Sequence, residues 1–422
     1  LKIRLSYGSL GNQQIGYYDF IQTITTKGSM SDYSFDGTVL GQHATVSDPV
    51  SGDQTWEKVV SKNLGLDLNM FNNRLSLTTD FYIRDTKGIL GKGKSLPSIY
   101  GASEPQMNAN NLRTKGYELV LGWRDSFKLA GSTFSYGITG TFSDYTAEYT
   151  KCDNPTGLIG DPYVGKKYGE IWGYKVDGLF RNDKEAAEYA SRIDLSTVAS
   201  GYYTATGAYG KGVRGGDIKY LDLNGDNIVN GGKGTLDDPG DRRVIGNSSP
   251  RYQYGASLNF SWYGFDVSVF MQGIGRLDWY PGADNLRFWG PYCRPYATFV
   301  PKNFMSQVWS EENPDAYFPR ARAYTSLNSN SGTAYYTNDR YLQNLAYCRL
   351  KNLTIGYTIP RRLTSKVGIK ECRIYFSGEN LATWSALKSD FLDPEQAAAD
   401  SDKKANVYPW CKTYSIGLNL TF

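Results

Sequence analysis

One stretch of the chain places oxygen-bearing side chains at alternate positions, as a calcium-binding loop does. In DLNGDNIVN, three side chains fall at positions 1, 3 and 5, and a backbone carbonyl is available at position 7. Position 6 is Asn227 instead of glycine, and position 12 is Lys233, which supplies no carboxylate. A calcium ion and a metal-free loop closed by side-chain turns both remain possible. The candidate ligands are Asp222, Asn224, Asp226, Ile228 and Asp241.

A second candidate site is aromatic. The segment LDWYPGADNLRFWGPYCRPY concentrates side chains whose flat faces can stack on sugar rings or on peptide side chains. The same side chains could instead pack a long loop onto its neighbours, and both roles remain open. The candidate substrate-binding residues are Trp279, Trp289, Tyr292 and Tyr296.

No set of catalytic residues is predicted. His43 is the single histidine, and no GxSxG motif accompanies it. The segment GDPYVGKK has the glycine and lysine spacing of a phosphate-binding loop, but Lys167 stands where a hydroxyl must reach Mg²⁺. The 42 acidic residues single out no catalytic pair. We therefore do not expect an enzyme.

Composition favours β-structure with long loops. The 422 residues include 34 Tyr and 46 Gly, and the mean hydropathy is −0.48. No segment approaches the ~18 apolar residues of a membrane-spanning helix. The net charge of +4 shows no basic stripe, so nucleic acid is not an expected partner. Five cysteines without a CxxC pair argue against a zinc site or a disulfide framework.

Alternation of apolar and polar residues predicts about ten antiparallel strands. Four hairpins are expected, followed by the final strand SIGLNLTF and preceded by the opening run LKIRLSYG. The first hairpin turns at Asn72-Asn73 and the third at Tyr263-Gly264. The paired segments are VVSKNLGLDLNMF with RLSLTTDFYIRD, GYELVLGWRD with TFSYGITGTFSDY, RYQYGASLNFSW with FDVSVFMQG, and YCRLKNLTIGYTI with KECRIYFSGENL, the last pair flanking Pro360-Arg361-Arg362.

The connections alternate between short turns and long loops, which is typical of an outer-membrane barrel. The predicted loops span roughly residues 9–54, 88–112, 147–250, 276–340 and 384–407. Lys62 and Lys412 fall on apolar faces and are expected near a rim. A soluble β-sandwich or propeller is the alternative. Charged residues on the polar faces fit a hydrated lumen: Asp67, Asp80, Arg84, Glu118, Arg124 and Lys351. Aromatic residues are expected near strand ends, as interfacial girdles: Tyr117, Trp123, Trp262, Tyr357 and Phe422.

Several segments resemble, in order, the C-terminal half of SusC/RagA-type TonB-dependent transporters of Bacteroidetes. They include LKIRLSYGSLGNQQIG, NLRTKGYELVLGW, VGKKYGEIWGYKVDGLF, GDIKYLDLNGDNIVN and LKNLTIGYTIP. The resemblance implies that residues 1–422 are the C-terminal part of a 22-stranded transmembrane β-barrel, whose plug and first strands are absent from this chain. Asn227 and the insertion before Asp241-Arg242 depart from the family's acidic loop.

The resemblance also implies partners and a location. The expected partners are a SusD-like lipoprotein lid, TonB-ExbB-ExbD acting through the missing plug, the N-terminal part of the barrel, and outer-membrane lipid. Phe422 resembles the terminal signal for barrel assembly. The chain starts at Leu1 inside a strand-like run, which we interpret as a fragment or a processed piece.

The expected function is active import of an oligomeric nutrient across the outer membrane. Oligosaccharide is the first cargo expected and oligopeptide its rival, and a siderophore or cobalamin receptor ranks next. From a different class, a secreted or surface β-rich adhesin or carbohydrate-binding protein would need no membrane.

Overall fold

The structure is a computed structural model that describes residues 1–12, 21–27, 34–35, 38–39, 43–52, 54–92, 98–204, 212–293, 300–322, 327, 332–389, 391–398 and 409–422. Its main feature is a ten-stranded antiparallel sheet in which each strand pairs with the next one along the chain. The strands are β1 Lys2–Asn12, β2 Glu57–Met70, β3 Leu75–Lys92, β4 Gln106–Leu129, β5 Ser132–Lys151, β6 Arg251–Trp262, β7 Phe265–Arg276, β8 Tyr347–Thr358, β9 Glu371–Ser385 and β10 Thr413–Thr421. The all-β class and the ten antiparallel strands predicted from the sequence are confirmed.

The smaller elements lie in the connections between these strands. Short strand pairs join Ile24–Lys27 to His43–Val46, Ser34–Phe35 to Thr38–Val39, Glu170–Tyr174 to Arg242–Asn247, Val176–Leu179 to Ile218–Tyr220, and Asp278–Trp279 to Gln343–Asn344. The α-helices are α1 Asp183–Ala190, α2 Ser200–Thr204, α3 Leu286–Trp289 and α4 Arg361–Thr364, and 3₁₀ turns span Ser98–Tyr100, Gly290–Tyr292, Met305–Gln307 and Ser365–Val367. None of the helices in the described part of the chain is both long and apolar enough to cross a membrane.

Tight turns close the hairpins at one end of the sheet. Ala130-Gly131 and Tyr263-Gly264 form two-residue turns in which both residues have positive φ, the geometry that matches the twist of paired strands. The first hairpin uses a longer turn, between Met70 and Leu75, in which Phe71, Asn72 and Asn73 all have positive φ. The connection after β8 contains helix α4 and a 3₁₀ turn, where the sequence predicted only a break at Pro360-Arg361-Arg362.

At the opposite end, the strands run further than predicted. The expected bounds of the loop over residues 88–112 were too wide, because β3 continues to Lys92 and β4 already begins at Gln106. Asparagines in β4 support this extension by bonding to the backbone, as Asn108 Nδ2 does to the Gly88 carbonyl at 2.6 Å. Polar and Gly-rich residues are typical of loops in a sequence. Here the pairing of β3 with β4 continues through them and provides hydrogen-bond partners for their backbone groups.

The two faces of the sheet differ in chemistry. One face, here called the apolar face, carries two rows of aromatic rings. The upper aromatic row, on the side of the long loops, is Phe81, Tyr117, Phe142 and Tyr252, with neighbouring ring centroids 6.4, 6.0 and 6.4 Å apart. The lower aromatic row, near the tight turns, is Phe127, Phe134 and Phe260, with centroids 5.3 and 6.4 Å apart.

The spacing of the rows is comparable with the thickness of a hydrocarbon layer. Along β5 the rows are eight residues apart (Phe134 to Phe142), or about 26 Å along the strand at ~3.3 Å per residue. For a strand tilted by about 40°, this is roughly 20 Å along the membrane normal. An outer-membrane barrel has an apolar band ~25 Å tall between aromatic girdles. Tyr117 lies in the upper aromatic row, but β4 is so long that this residue lies mid-strand and not near a strand end, where the sequence placed it.

The sheet is open. In the described part of the chain β1 pairs only with β2, and β10 pairs only with β9. Each of these outer strands presents an unpaired edge of backbone N–H and C=O groups, which is a ready template for a further strand.

Candidate functional site

The polar face of the sheet is crossed by ion pairs that skip a strand. Arg4 on β1 reaches over β2 and donates to Asp80 on β3 at 2.8 Å, while its Nε donates to Asp67 at 3.0 Å. Asn63 Nδ2 donates to the other Asp80 oxygen at 2.8 Å. Gly65 lies directly under this bridge, since a Cβ there would stand 2.6 Å from the Arg4 guanidinium carbon. The glycine leaves the room that the bridge occupies.

The same construction recurs on the other side of the sheet. Arg373 on β9 reaches over Gly356 on β8 to Asp266 on β7, with N–O distances of 2.9 and 2.5 Å. A Cβ at Gly356 would lie 2.5 Å from an Arg373 nitrogen and 2.6 Å from an Asp266 oxygen. Two bridges of this form make the polar face a charged, hydrogen-bonded surface, which is suited to contact with water and hydrophilic solutes.

Near the long-loop end of the polar face, the connection between β9 and β10 folds against the strands. Arg349 on β8 is buried and donates to both oxygens of Asp393, at 2.8 and 2.7 Å, and to Glu395 at 2.7 Å. Lys351 shares Glu395 at 2.7 Å. Charge pairing therefore anchors this loop to the strands.

The largest hydrophobic core lies outside the sheet, in the first long loop (residues 152–250) and the second long loop (residues 277–346). Trp289 is fully buried there, with its ring centroid 5.0 Å from that of Tyr341 and its indole N–H donating to the Gly282 carbonyl at 3.1 Å. Tyr292 is also buried and donates to the Pro319 carbonyl at 2.5 Å. Both side chains therefore pack inside the loops in this structure, and their part in substrate binding stays a prediction.

Backbone and side-chain hydrogen bonds tie the two long loops together. The Tyr174 N–H donates to the Thr337 carbonyl at 2.9 Å, and the Arg320 N–H donates to the Gly216 carbonyl at 2.7 Å. Tyr220 donates its hydroxyl to the Thr333 carbonyl. The loops thus form one folded layer over the end of the sheet, which we call the loop layer.

A buried ion pair lies within the loop layer. Asp217 in the first loop and Arg322 in the second approach to 2.6 Å, and both side chains are almost fully buried. The Arg214 N–H also donates to Asp217, at 2.7 Å. Burial raises the pKa of Asp217 to about 6, although Arg322 and the Arg214 N–H favour the ionised carboxylate.

The acidic loop closes on itself through hydrogen bonds. Asp222 accepts the N–H groups of Gly225 and Asn227 at 2.7 and 2.9 Å, and Asp226 accepts the Ile228 N–H at 2.8 Å. Asn224 accepts the Asp226 N–H at 3.1 Å. These contacts are those of a loop closed by side-chain turns, one of the two arrangements that the sequence left open.

Asp241 holds the base of the same loop. It is fully buried and accepts the N–H groups of Leu223 and Asn230 at 2.7 and 2.9 Å. Within the described residues, no three His, Cys, Asp or Glu side chains lie close enough together to hold a metal ion. The side-chain oxygens of this segment therefore fit a loop closed by hydrogen bonds, and calcium binding stays a prediction.

Comparison with known proteins gives relatives over the whole chain. No family model matches. The TonB-dependent receptor P3 of Formosa agariphila is 26% identical over 444 residues, covering 100% of this chain and 39% of the receptor. The TonB-dependent receptor SusC of Bacteroides thetaiotaomicron is 22% identical over 434 residues, covering 100% of this chain and 37% of SusC.

The chain is homologous to TonB-dependent receptors. The resemblance predicted from the sequence is thereby confirmed. Among solved structures, the RagAB peptide transporter has the same fold, with a TM-score of 0.65, 22% identity, and coverage of 100% of this chain and 40% of the transporter chain. The chain spans about two fifths of the length of the TonB-dependent receptors it matches. These relatives are receptors and transporters, not enzymes.

The other predicted residues of this chain have separate surroundings. Trp279 is half-buried in the short strand Asp278–Trp279, paired with Gln343, and Tyr296 lies outside the described residues. His43 begins a short strand and pairs with Lys27. The Lys166 ammonium donates to the carbonyls of its own loop, such as that of Ile159 at 2.8 Å, which fits no phosphate-loop role.

Sequence reasoning missed the bridging glycines and the Asp217–Arg322 pair. The bridging glycines did have a signal in the sequence, because a glycine within an alternating strand often marks the close approach of a neighbouring group. The second joins residues 105 positions apart, and no local pattern pairs them.

Proposed function

We propose that this chain forms the C-terminal part of the barrel of a TonB-dependent importer, with its polar face lining the passage and the loop layer facing the outside of the cell. The observation that carries the proposal is the contrast between the faces of one sheet. One face has two aromatic rows about 26 Å apart along a strand, and the other has ion pairs bridged over Gly65 and Gly356.

The unpaired edges of β1 and β10 support a larger assembly. Strands from an N-terminal part of the same barrel would pair with both edges and remove the exposed backbone groups. A plug coupled to TonB-ExbB-ExbD and a SusD-like lipoprotein lid complete the proposal, by analogy with SusC and RagAB. The ordered loop layer offers a firm surface on which such a lid can close.

The proposed cargo is an oligosaccharide, and an oligopeptide is the second candidate. The second has a specific observation in its favour, since the solved structures with the same fold are described as a peptide transporter and a peptide importer. Burial of Trp289 and Tyr292 removes two of the aromatic faces that a sugar would stack on.

Uptake by intact cells tests the function. Cells carrying the full-length receptor are expected to accumulate a labelled oligosaccharide, and both receptor deletion and TonB inactivation should abolish that uptake. Accumulation of labelled peptides in place of sugars would assign the second cargo. Accumulation of neither across broad oligosaccharide and peptide libraries, with the receptor correctly inserted, would contradict the importer.

Calcium at the acidic loop is a separate proposal. The full-length protein is expected to carry one ion, and replacement of both Asp222 and Asp226 by alanine should remove it, since these are the two carboxylates of the pattern. Elemental analysis of the purified proteins measures the ion. An equal calcium content in both proteins would leave the hydrogen-bonded loop as the full account.

A further inference from the structure

The apolar face carries a band of cations just beyond its upper aromatic row. In the row formed by Leu64, Phe81 and Tyr117, the side chains are apolar or aromatic. One step toward the long loops, Lys62 and Lys115 flank Ile83 on the same face. We call the whole group the basic rim: Lys58, Lys62, Lys87, Arg113, Lys115 and Lys167.

Only part of this charge is neutralised within the protein. Arg113 pairs with Asp85 at 2.7 Å, and Lys167 pairs with Glu148. The four other lysines, which are Lys58, Lys62, Lys87 and Lys115, are exposed and make no salt bridge to any carboxylate in the described ranges. The rim therefore holds an excess of four positive charges, six cations against two carboxylates.

Two of these lysines repel each other directly. Lys58 on β2 lies directly opposite Lys87 on β3. Like charges directly opposite each other on neighbouring strands repel and destabilise the pair. Lys62 and Lys115 are two strands apart, hence about 10 Å at the usual strand spacing. An anionic group placed between such lysines would offset the repulsion.

We propose that the basic rim binds the phosphate groups of lipid A, the glycolipid of the outer leaflet. The position of the basic rim favours a lipid as the ligand, because the cations lie where the apolar band ends. One lipid molecule can place its acyl chains against Leu64 and Phe81 and its phosphates among the lysines. Lysine stems suit this border, because they lie along apolar surface while the ammonium reaches outward. The inference rests on the proposed orientation, with the apolar face toward lipid.

Binding of purified lipid A to the delipidated full-length receptor tests the proposal. Native mass spectrometry with bisphosphorylated lipid A as the probe is expected to show specific adducts on the wild-type receptor. The K62Q/K115Q variant should bind roughly tenfold more weakly, since a lysine near an anionic lipid surface contributes on the order of a fewfold in affinity. K58Q/K87Q should weaken binding in the same direction, and K62R/K115R should retain it.

The matched control is K128Q/K366Q, which removes two exposed lysines at the tight-turn end of the sheet and should leave binding unchanged. Heat-modifiable migration on gels shows that each variant is folded. Equal binding by K62Q/K115Q and wild type, or by dephosphorylated lipid A and lipid A, would overturn the proposal. So would displacement of lipid A by an equal concentration of inorganic phosphate, which would indicate a site for free anions.

This result can be separated from a failure of the proposed orientation. Spin labels that place the apolar face in water would contradict the orientation and the lipid site together. Labels that place it in lipid, combined with unchanged lipid A binding in K62Q/K115Q, would contradict the lipid site alone.

Discussion

Asp217 forms the buried ion pair among those that join the two long loops, and its surroundings make this contact sensitive to pH. Burial holds its pKa at about 6, above the usual range of an aspartate. A group whose pKa is raised on folding stabilises the folded state below its unfolded pKa, and that contribution is lost as the pH rises through the folded value. The loop layer should therefore weaken between about pH 4 and pH 6 through this group.

Replacement of Asp217 by asparagine tests this pH dependence. The variant keeps an oxygen to accept the Arg214 N–H but cannot titrate. Hydrogen exchange of peptides spanning 214–221 and 316–322, corrected for intrinsic rates, measures local opening. Relative to D217N, wild type should lose on the order of 1 to 3 kcal/mol of local stability between about pH 4 and pH 7. Parallel pH profiles of the two proteins would contradict the prediction.

At the residue scale, local patterns were predicted from the sequence better than contacts between distant residues were. The alternate oxygens from Asp222 to Ile228 were found, because a turn is a local pattern. The roles of Trp289 and Tyr292 were left open, because the rings they pack against come from residues as distant as Tyr341. Burial of an aromatic side chain depends on such distant partners, which neighbouring residues do not specify.

At the scale of the elements, glycines on the polar face leave room for the ion pairs that cross over a strand. Gly356→Ala would place a Cβ where Arg373 and Asp266 meet, so the ion pair must separate or shift. The expected cost is about 1 kcal/mol, as for a partly exposed ion pair. It appears as a lower temperature of heat-modifiable unfolding in detergent.

Gly8→Ala is the matched control for this prediction. Gly8 lies on the same face, in β1, and a Cβ there meets nothing within 4 Å. Gly65→Ala should behave as Gly356→Ala does, because it lies under the equivalent Arg4–Asp80 bridge. Equal unfolding temperatures for G356A and G8A would show that the bridge adds nothing to stability.

Strand existence was predictable from the sequence, and strand length was not. Alternation with period 2 identifies a strand only where one face is apolar. β4 begins at Gln106 in the segment QMNANN, where Met107 is the one large apolar side chain, so the alternation is too weak to predict a strand although the hydrogen-bonded ladder continues. The loop layer was not predicted for a related reason. Its strands have only two to six residues, and its core is formed by two segments that are distant in the sequence.

At the scale of the whole molecule, the orientation of the sheet decides between a membrane protein and a soluble one. Val267 and Ile355 are paired on the apolar face, and Leu418 pairs with Ile374 on the same face. Ser268 and Asn419, the next residues along their strands, point to the polar face.

Spin labels at these four positions in the full-length protein measure what each face contacts. Labels at Val267 and Leu418 are expected to be accessible to oxygen dissolved in the bilayer, and labels at Ser268 and Asn419 to a water-soluble relaxing agent, because only a barrel wall separates lipid from water across one strand. A soluble adhesin with a packed core would show the reverse accessibility or none at Val267 and Leu418. Since no disulfide joins any of the five cysteines, replacing them to prepare the labelled proteins breaks no covalent link.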